Sequence, residues 1–248
     1  MVLTTQLRRV LTVAGLALVA ACGAGAADPE AATDDARYRY ERATRDGIGK
    51  VYMGREISQV MGHLAAGWLE RRGRQAEERT DLLIENLPLE ADSVVADIGA
   101  GSGYFTFPVA ERVPEGRIIA VDIQPEMLAI VEARRENTGA SNVDTVLGTA
   151  ENPNLAPDSI DLAFIVDAYH EFSHPYEMGR AIAAALRPGG RLVLIEYRAE
   201  DRSVPIKPLH KMTVDQVRKE MDAIGLEFEA NRDFLPQQHF LVFRRPVR

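Results

Sequence analysis

From residue 93 to the C-terminus, short apolar runs alternate with stretches whose apolar positions recur every three or four residues. The runs at 94–98, 117–121, 143–147, 160–166 and 191–196 have strand length, and the stretches at 104–113, 125–137 and 176–186 have helical period. Pro125 falls in the first turn of its stretch, where the missing amide hydrogen has no partner to lose. Thr213 and Gln216 form a capping box that opens a helix over 213–224, and Gly225 stands just past its end. Two further strands, 227–232 and 239–244, are joined through Pro236. Strands separated by helix-length segments pair in parallel, because a parallel crossover needs a long return. The last two strands lack such a return and form an antiparallel hairpin. The pattern predicts an α/β fold, a doubly wound and mostly parallel seven-stranded sheet with an antiparallel C-terminal hairpin at its edge.

Upstream, GIGKVYMGREISQVMGHLAAGWLERRG (47–73) carries Ile57, Val60, Met61, Leu64, Ala65 and Trp68 at three- and four-residue spacing, which predicts a helix. A second helix is predicted over 77–86, ending before Pro88. Residues 28–46 (DPEAATDDARYRYERATRD) have no sustained apolar periodicity and read as a tether. The predicted organisation is a leader over 1–22, a tether over 23–50, a helical cap over 51–87 and the α/β domain over 88–248.

The leader changes the setting. MVLTTQLRR is short and basic, and VLTVAGLALVAAC is apolar up to Cys22, with no charge from Val10 to Ala27. A basic start, an apolar stretch of this length and small residues at its end make a secretory signal. GAGAA (23–27) is only weakly apolar, which leaves the run marginal for spanning about 30 Å of hydrocarbon. Val19-Ala20-Ala21-Cys22 resembles the bacterial lipobox, in which the cysteine is lipidated and becomes the mature N-terminus. Ordinary cleavage after Gly25-Ala26-Ala27 is the alternative. The expectation is an exported protein on the periplasmic side, attached to the membrane through Cys22. Cys22 is the only cysteine, which excludes an internal disulfide and a cysteine-based metal site.

The net charge of −8, with basic residues spread along the chain, argues against a general polyanion binder, and no nucleic-acid partner is expected. Residues 70–79 (ERRGRQAEER) mix both signs and read as a solvated helix face.

The first strand of the alternating region runs into ADIGAGSGYF (96–105). In an open parallel sheet, ligands sit beyond the carboxyl ends of the strands, where this glycine loop falls. The dinucleotide fingerprint Gly-x-Gly-x-x-Gly fails, because its third glycine position is Tyr104. The spacing present is Asp97-x-Gly99-x-Gly101-x-Gly103. The second strand ends in Val121-Asp122, where a carboxylate can accept hydrogen bonds from both hydroxyls of a ribose. Gly148-Thr149-Ala150-Glu151 follows the third strand, PDSIDL (157–162) leads into the fourth, and LRPGGRL (186–192) precedes the fifth. In order and spacing these segments resemble class I S-adenosylmethionine (SAM) dependent methyltransferases over roughly residues 80–245. They are most similar to small-molecule enzymes of the quinone-biosynthesis type. The resemblance implies a Rossmann-like fold, SAM as cofactor and a small-molecule methyl acceptor. It puts Asp97 near the amino-acid end of SAM, either directly or by orienting the loop. It brings Gly99, Gly101 and Gly103 close through their backbone, Asp122 to the ribose, and Ala150 and Glu151 to the adenine, with Ala100 and Ile123 also among the cofactor-binding residues. A solvated loop acid is the alternative for Glu151.

Methyl transfer from a sulfonium is an in-line displacement, so alignment of nucleophile and methyl is the main requirement. After the fourth strand stands VDAYHEFSH (166–174). The resemblance makes Asp167 a SAM contact. His170, with its near-neutral intrinsic pKa, is the first candidate for a base or acceptor-orienting group, and Tyr169 and Glu171 follow. A histidine capping the strand–helix junction is the alternative. His170, Glu171 and His174 invite a metal reading, but their spacing does not establish converging ligands, so no metal is expected. Tyr52, Met53 and His63 are read as core packing, the alternative being the N-terminal segment that in related enzymes covers the cofactor and shapes the acceptor pocket. KPLHK (207–211) either lines the pocket or lies in solvent. The alternative to an enzyme is an exported, non-catalytic SAM- or nucleoside-binding module, a sensor or scaffold on the same fold. The cytoplasmic origin of SAM favours that alternative, and the intact donor-side motifs favour catalysis.

Overall fold

The computed structural model describes Val2 and residues 37–247. The rest of the leader, Cys22 and residues 23–36 of the tether lie outside the described residues. The described body starts with β1 (Tyr38–Tyr40), β2 (Gly47–Tyr52) and β3 (Arg55–Ser58), paired antiparallel in that order. The helical cap expected from residue 51 is therefore a small β-sheet at its start, and the tether ends before residue 38 rather than at 50. Met53-Gly54 joins β2 to β3 with both residues at positive φ (47° and 104°), the two-residue turn whose twist suits a hairpin. Ile57 packs with Tyr38 and Tyr52 in a small core of its own. Val60 and Leu64, counted as part of a helical stripe, are exposed, Leu64 at 93%. The expected helix shrinks to a 3₁₀ turn (His63–Ala65) and one α turn, α1 (Ala66–Leu69). The single helix expected over 77–86 is split into α2 (Arg74–Glu78) and α3 (Thr80–Asn86) by Arg79, which sits at φ 54°.

The main body follows the sequence pattern. It runs β4 (Val94–Ile98), α4 (Thr106–Ala110), β5 (Arg117–Asp122), α5 (Pro125–Thr138), β6 (Val143–Leu147), β7 (Ile160–Val166), α6 (Pro175–Ala185), β8 (Leu186–Tyr197), α7 (Val214–Ala223), β9 (Glu227–Arg232) and β10 (Gln238–Arg244). The sheet order is β6-β5-β4-β7-β8-β10-β9. The first five strands pair in parallel, and β10 is antiparallel to both β8 and β9. Thr213 Oγ1 accepts the Gln216 amide at 3.1 Å, which caps α7 as the sequence predicts.

Alternate residues of each strand feed opposite layers. Val95, Ile118 and Phe164 pack with Leu83, Phe107 and Val131 from α3, α4 and α5. Ala96, Ile165 and Leu194 pack with Met178 and Ile182 of α6 and Val217 and Met221 of α7. Each fully buried aliphatic or aromatic side chain of this kind contributes roughly 1.5–3 kcal/mol by removal from water. The chain leaves β4 toward β5 and β6 on one side and returns to β7 on the other. That reversal opens a crevice over the carboxyl ends of β4 and β7.

Candidate functional site

A cavity of about 610 Å³ occupies this crevice, within the usual range for a small-molecule site. Gly99, Gly101, Asp122, Ile123, Ala150, Asp167 and His170 line it. Asp97, Ala100, Gly103 and Glu151 do not.

The glycine loop is tied to β5, since the amides of Gly99 and Ala100 both donate to Val121 O at 2.8 and 3.0 Å. At Gly101 (φ 55°) a Cβ would lie 2.7 Å from Leu69 Cδ1 on α1, so the backbone is pressed between the cavity and the cap. Gly103 serves another purpose than the expected cofactor contact. Its missing Cβ faces Phe107 Cε2 at 3.1 Å and Val131 Cγ2 at 3.2 Å, which lets α4 and α5 close over the loop. Ala100 is likewise part of the core layer on that face.

Asp97 lies behind the loop and accepts from Thr106 Oγ1 at 2.7 Å. Burial pushes its pKa up to about 7, with the charge of Asp122 adding to the rise. Of the two roles expected for Asp97, this position supports orienting the loop. Asp122 faces the cavity from the end of β5. Its Oδ2 accepts the Gly101 amide and its Oδ1 the Gln124 amide, both at 2.9 Å. Each oxygen keeps a lone pair for a ligand hydroxyl. Burial raises the Asp122 pKa, and the backbone amides offset part of that rise.

On the third-strand side, Gly148, Thr149 and Ala150 line the cavity, while Glu151 is exposed, 3.8 Å from His174 Nε2. The solvated alternative for Glu151 fits that position. Asp167, at φ 50°, takes a hydrogen bond on Oδ2 from Gln238 Nε2 at 3.1 Å. Its Oδ1 is buried with no partner among the described residues. Burial, then the charges of Glu78 and Glu196, push its pKa well above the ordinary carboxylate range.

Sequence reasoning missed Arg74, assigned to a solvated helix face. It is 3% exposed and lines the cavity, held by Glu78 Oε2 at 3.1 Å and Leu69 O at 3.0 Å. Its only signal was Tyr104 and Phe105 across the fold, over which its guanidinium lies, and nothing local in the sequence pairs them.

His170 sits on a 3₁₀ turn (Tyr169–Glu171) just past β7 and is buried. Its Nδ1 lies 2.6 Å from Glu196 Oε2 and its Nε2 lies 3.1 Å from His210 Nδ1. Its carbonyl accepts from Arg55 Nη1 at 3.2 Å and Ser58 Oγ at 3.3 Å. Arg55 also pairs with the buried Glu220 of α7 at 2.6 and 3.0 Å, and Tyr169 donates to Glu220 Oε2 at 2.8 Å. The hairpin cap thus fixes the turn that carries His170. Tyr169 is used in that anchoring, whereas Glu171 lines the cavity and accepts the Met61 amide on Oε2 at 3.0 Å. The 207–211 segment takes the first of its two readings, since Lys207 and His210 line the cavity. His174 turns away, against the edge of Tyr38. His63, expected in the core, has a side chain 40% exposed. Glu196, fully buried at the end of the apolar run of β8, was also missed; a lone acid in such a run was its one signal.

A methyltransferase-domain family model matches residues 95–190. An uncharacterized methyltransferase of Mycobacterium bovis is 34% identical over 195 residues, covering 78% of this chain and 71% of that one. The ubiquinone/menaquinone biosynthesis C-methyltransferase of Pseudomonas fluorescens is 28% identical over 140 residues, covering 56% of this chain and 52% of that one. The chain spans about half the length of several curated relatives it matches. A SAM-dependent methyltransferase from Aquifex aeolicus superposes with a TM-score of 0.70 at 18% identity, over 75% of this chain and 100% of that one, and so shares the fold. A relative of 34% identity aligned over most of both proteins places this chain in the methyltransferase family.

Proposed function

We propose that the chain transfers a methyl group from SAM to a small-molecule acceptor bound in the same cavity. The observation that carries this reading is that the glycine loop, Asp122, Asp167 and His170 all face one cavity. The donor side fits SAM on an independent ground. Asp167 leaves a buried oxygen without a partner, and Arg74 lies on the same wall. A carboxyl group and a guanidinium suit the ammonium and carboxylate of the methionine end. A cation beside Asp167 would also bring its raised pKa back down.

When bound, SAM supplies an electrophilic methyl on a sulfonium. Asp122 holds the ribose hydroxyls with the lone pairs its backbone partners leave free, and Ala150 lies beside the adenine. Because a carboxylate oxygen only accepts, Glu196 fixes the hydrogen of His170 on Nδ1 and leaves Nε2 with its lone pair. Nε2 is thereby the group of His170 suited to receive a proton from, or to orient, the acceptor. No nucleic-acid partner is part of this reading. Export and lipid attachment through Cys22 are a separate proposal, supported by the leader sequence alone.

Calorimetry with SAM and S-adenosylhomocysteine tests the donor side, and a screen with methyl-labelled SAM tests transfer. Absence of binding by either nucleoside rejects the cofactor. Binding without transfer to any component of a cell extract favours the non-catalytic module. Cys22→Ser should move the protein from the membrane to the soluble fraction; unchanged fractionation rejects the lipid anchor.

A further inference from the structure

His170, Glu171 and His210 come from two separate turns of the chain and converge at the cavity wall. His170 Nε2 lies 3.1 Å from His210 Nδ1 and 3.8 Å from Glu171 Oε1, and His210 Nδ1 lies 3.6 Å from the same oxygen. Three ligands about 2.0–2.1 Å from a tetrahedral zinc ion are separated by roughly 3.3–3.4 Å. The triangle found here brackets that edge length. A proton on His210 Nδ1 satisfies only the pair with His170 Nε2, whereas one cation among the three would also engage Glu171 Oε1.

Two of the three ligands are already oriented from behind. Glu196 Oε2 holds His170 Nδ1 at 2.6 Å, the carboxylate–histidine arrangement that fixes the tautomer of a metal-binding imidazole. The Met61 amide holds Glu171 Oε2 at 3.0 Å, which leaves Oε1 for the histidines. All three ligand residues line the cavity, so a fourth position opens toward the acceptor. Two imidazoles, one carboxylate and an open position are the composition of catalytic rather than structural zinc sites.

We propose that His170, Glu171 and His210 bind one divalent transition cation of the zinc class, whose open position takes an oxygen or nitrogen of the acceptor. The acceptor-orienting role of His170 then acts through the metal. This departs from the sequence-based expectation of no metal. His174, the second histidine weighed there, lies outside the site, and His210, 40 residues after His170, replaces it. The cation site does not depend on the methyl donor, so its test uses metal alone and its failure is distinct from failure of the SAM reading.

The test is titration of chelator-treated full chain with Co²⁺, followed by d–d absorption, and then with competing Zn²⁺. One equivalent should bind, with the absorption of a four- or five-coordinate site, and Zn²⁺ should displace it. Glu171→Gln and His210→Ala should each weaken binding at least about 100-fold, and Glu196→Gln by about 10–100-fold, the range for a group that orients a ligand. His174→Ala should bind as the parent does. Circular dichroism checks each fold, and Glu171→Gln, nearly isosteric, decides the matter if His210→Ala fails to fold. Lack of one-equivalent binding at micromolar metal, or undiminished binding by Glu171→Gln, overturns the proposal.

Discussion

The Gly101 amide donates to Asp122 Oδ2 at 2.9 Å, so the loop after β4 and the acid ending β5 act as one unit. Asp122→Ala removes the proposed ribose acceptor and frees the loop amide together. Hydrogen bonds to a charged group contribute about 1.5–3 kcal/mol, so S-adenosylhomocysteine should bind roughly 10–100-fold more weakly in calorimetry. Affinity equal to the parent's would remove Asp122 from the site.

Gly101 and Gly139 make a controlled pair. Both have positive φ, 55° and 68°, but only Gly101 has a neighbour, Leu69 Cδ1, where a Cβ would stand. Gly139→Ala should lose only the left-handed backbone cost, about 1–2 kcal/mol in denaturant unfolding, and keep nucleoside affinity. Gly101→Ala should lose a similar amount of stability and at least about tenfold in affinity, because the cradle itself shifts. Equal affinities for the two variants would show that the loop does not touch the ligand.

Asp97 gives a pH signature. Its pKa is raised from 3.8 to about 7 in the native state. The native protein therefore binds more protons than the unfolded chain between about pH 4 and 7, and stability falls as pH rises through that window, then levels off. Asp97→Asn should abolish this component and keep an oxygen for Thr106. Above pH 7 it should raise stability by up to about 4 kcal/mol at 1.36 kcal/mol per unit. Parallel urea-unfolding curves for parent and variant from pH 4 to 8 would refute the assignment.

Arg55 and Glu220 join the hairpin to α7 across 165 residues of sequence. The Glu220 side chain is fully buried, so Arg55→Ala leaves a charge without its counter-ion. That should cost about 3–5 kcal/mol, and replacing both residues with apolar ones should recover much of it. If the single variant unfolds with the parent's midpoint, the pair contributes little to holding the cap.

The α/β body was legible because buried parallel strands read as near-continuous apolar runs, and the segments between them have helical period. Asp122, Gly101 and His170 were legible because each lies at or just past a strand end near the switch point. The cap was not, for a reason visible in Ile57. Its burial comes from Tyr38 and Tyr52 across a hairpin, and Met53-Gly54 lacks the Asn or Asp that usually marks such a turn. Gly103 was assigned by pattern to the ligand, yet its space is taken by Phe107 and Val131, a packing fact no spacing rule carries. Glu196, Arg74 and His210 reach the cavity from parts of the chain far from the motif, and only the fold brings them together.

The family likeness over residues 95–190 includes the glycine loop, Asp122, Asp167 and His170. It excludes Ser58, Met61 and His210, which also line the cavity, Arg74, which lies beside Asp167, and Glu196, which holds His170 from behind. What the kinship covers is thus only part of the cavity wall, the glycine loop and the residues at the ends of β5 and β7. The rest of the wall is composed largely by the two flanks of the chain. Under the proposed transfer, relatives alike only in the central stretch are poor guides to the acceptor; those sharing the hairpin and the histidine after β8 are the ones to compare.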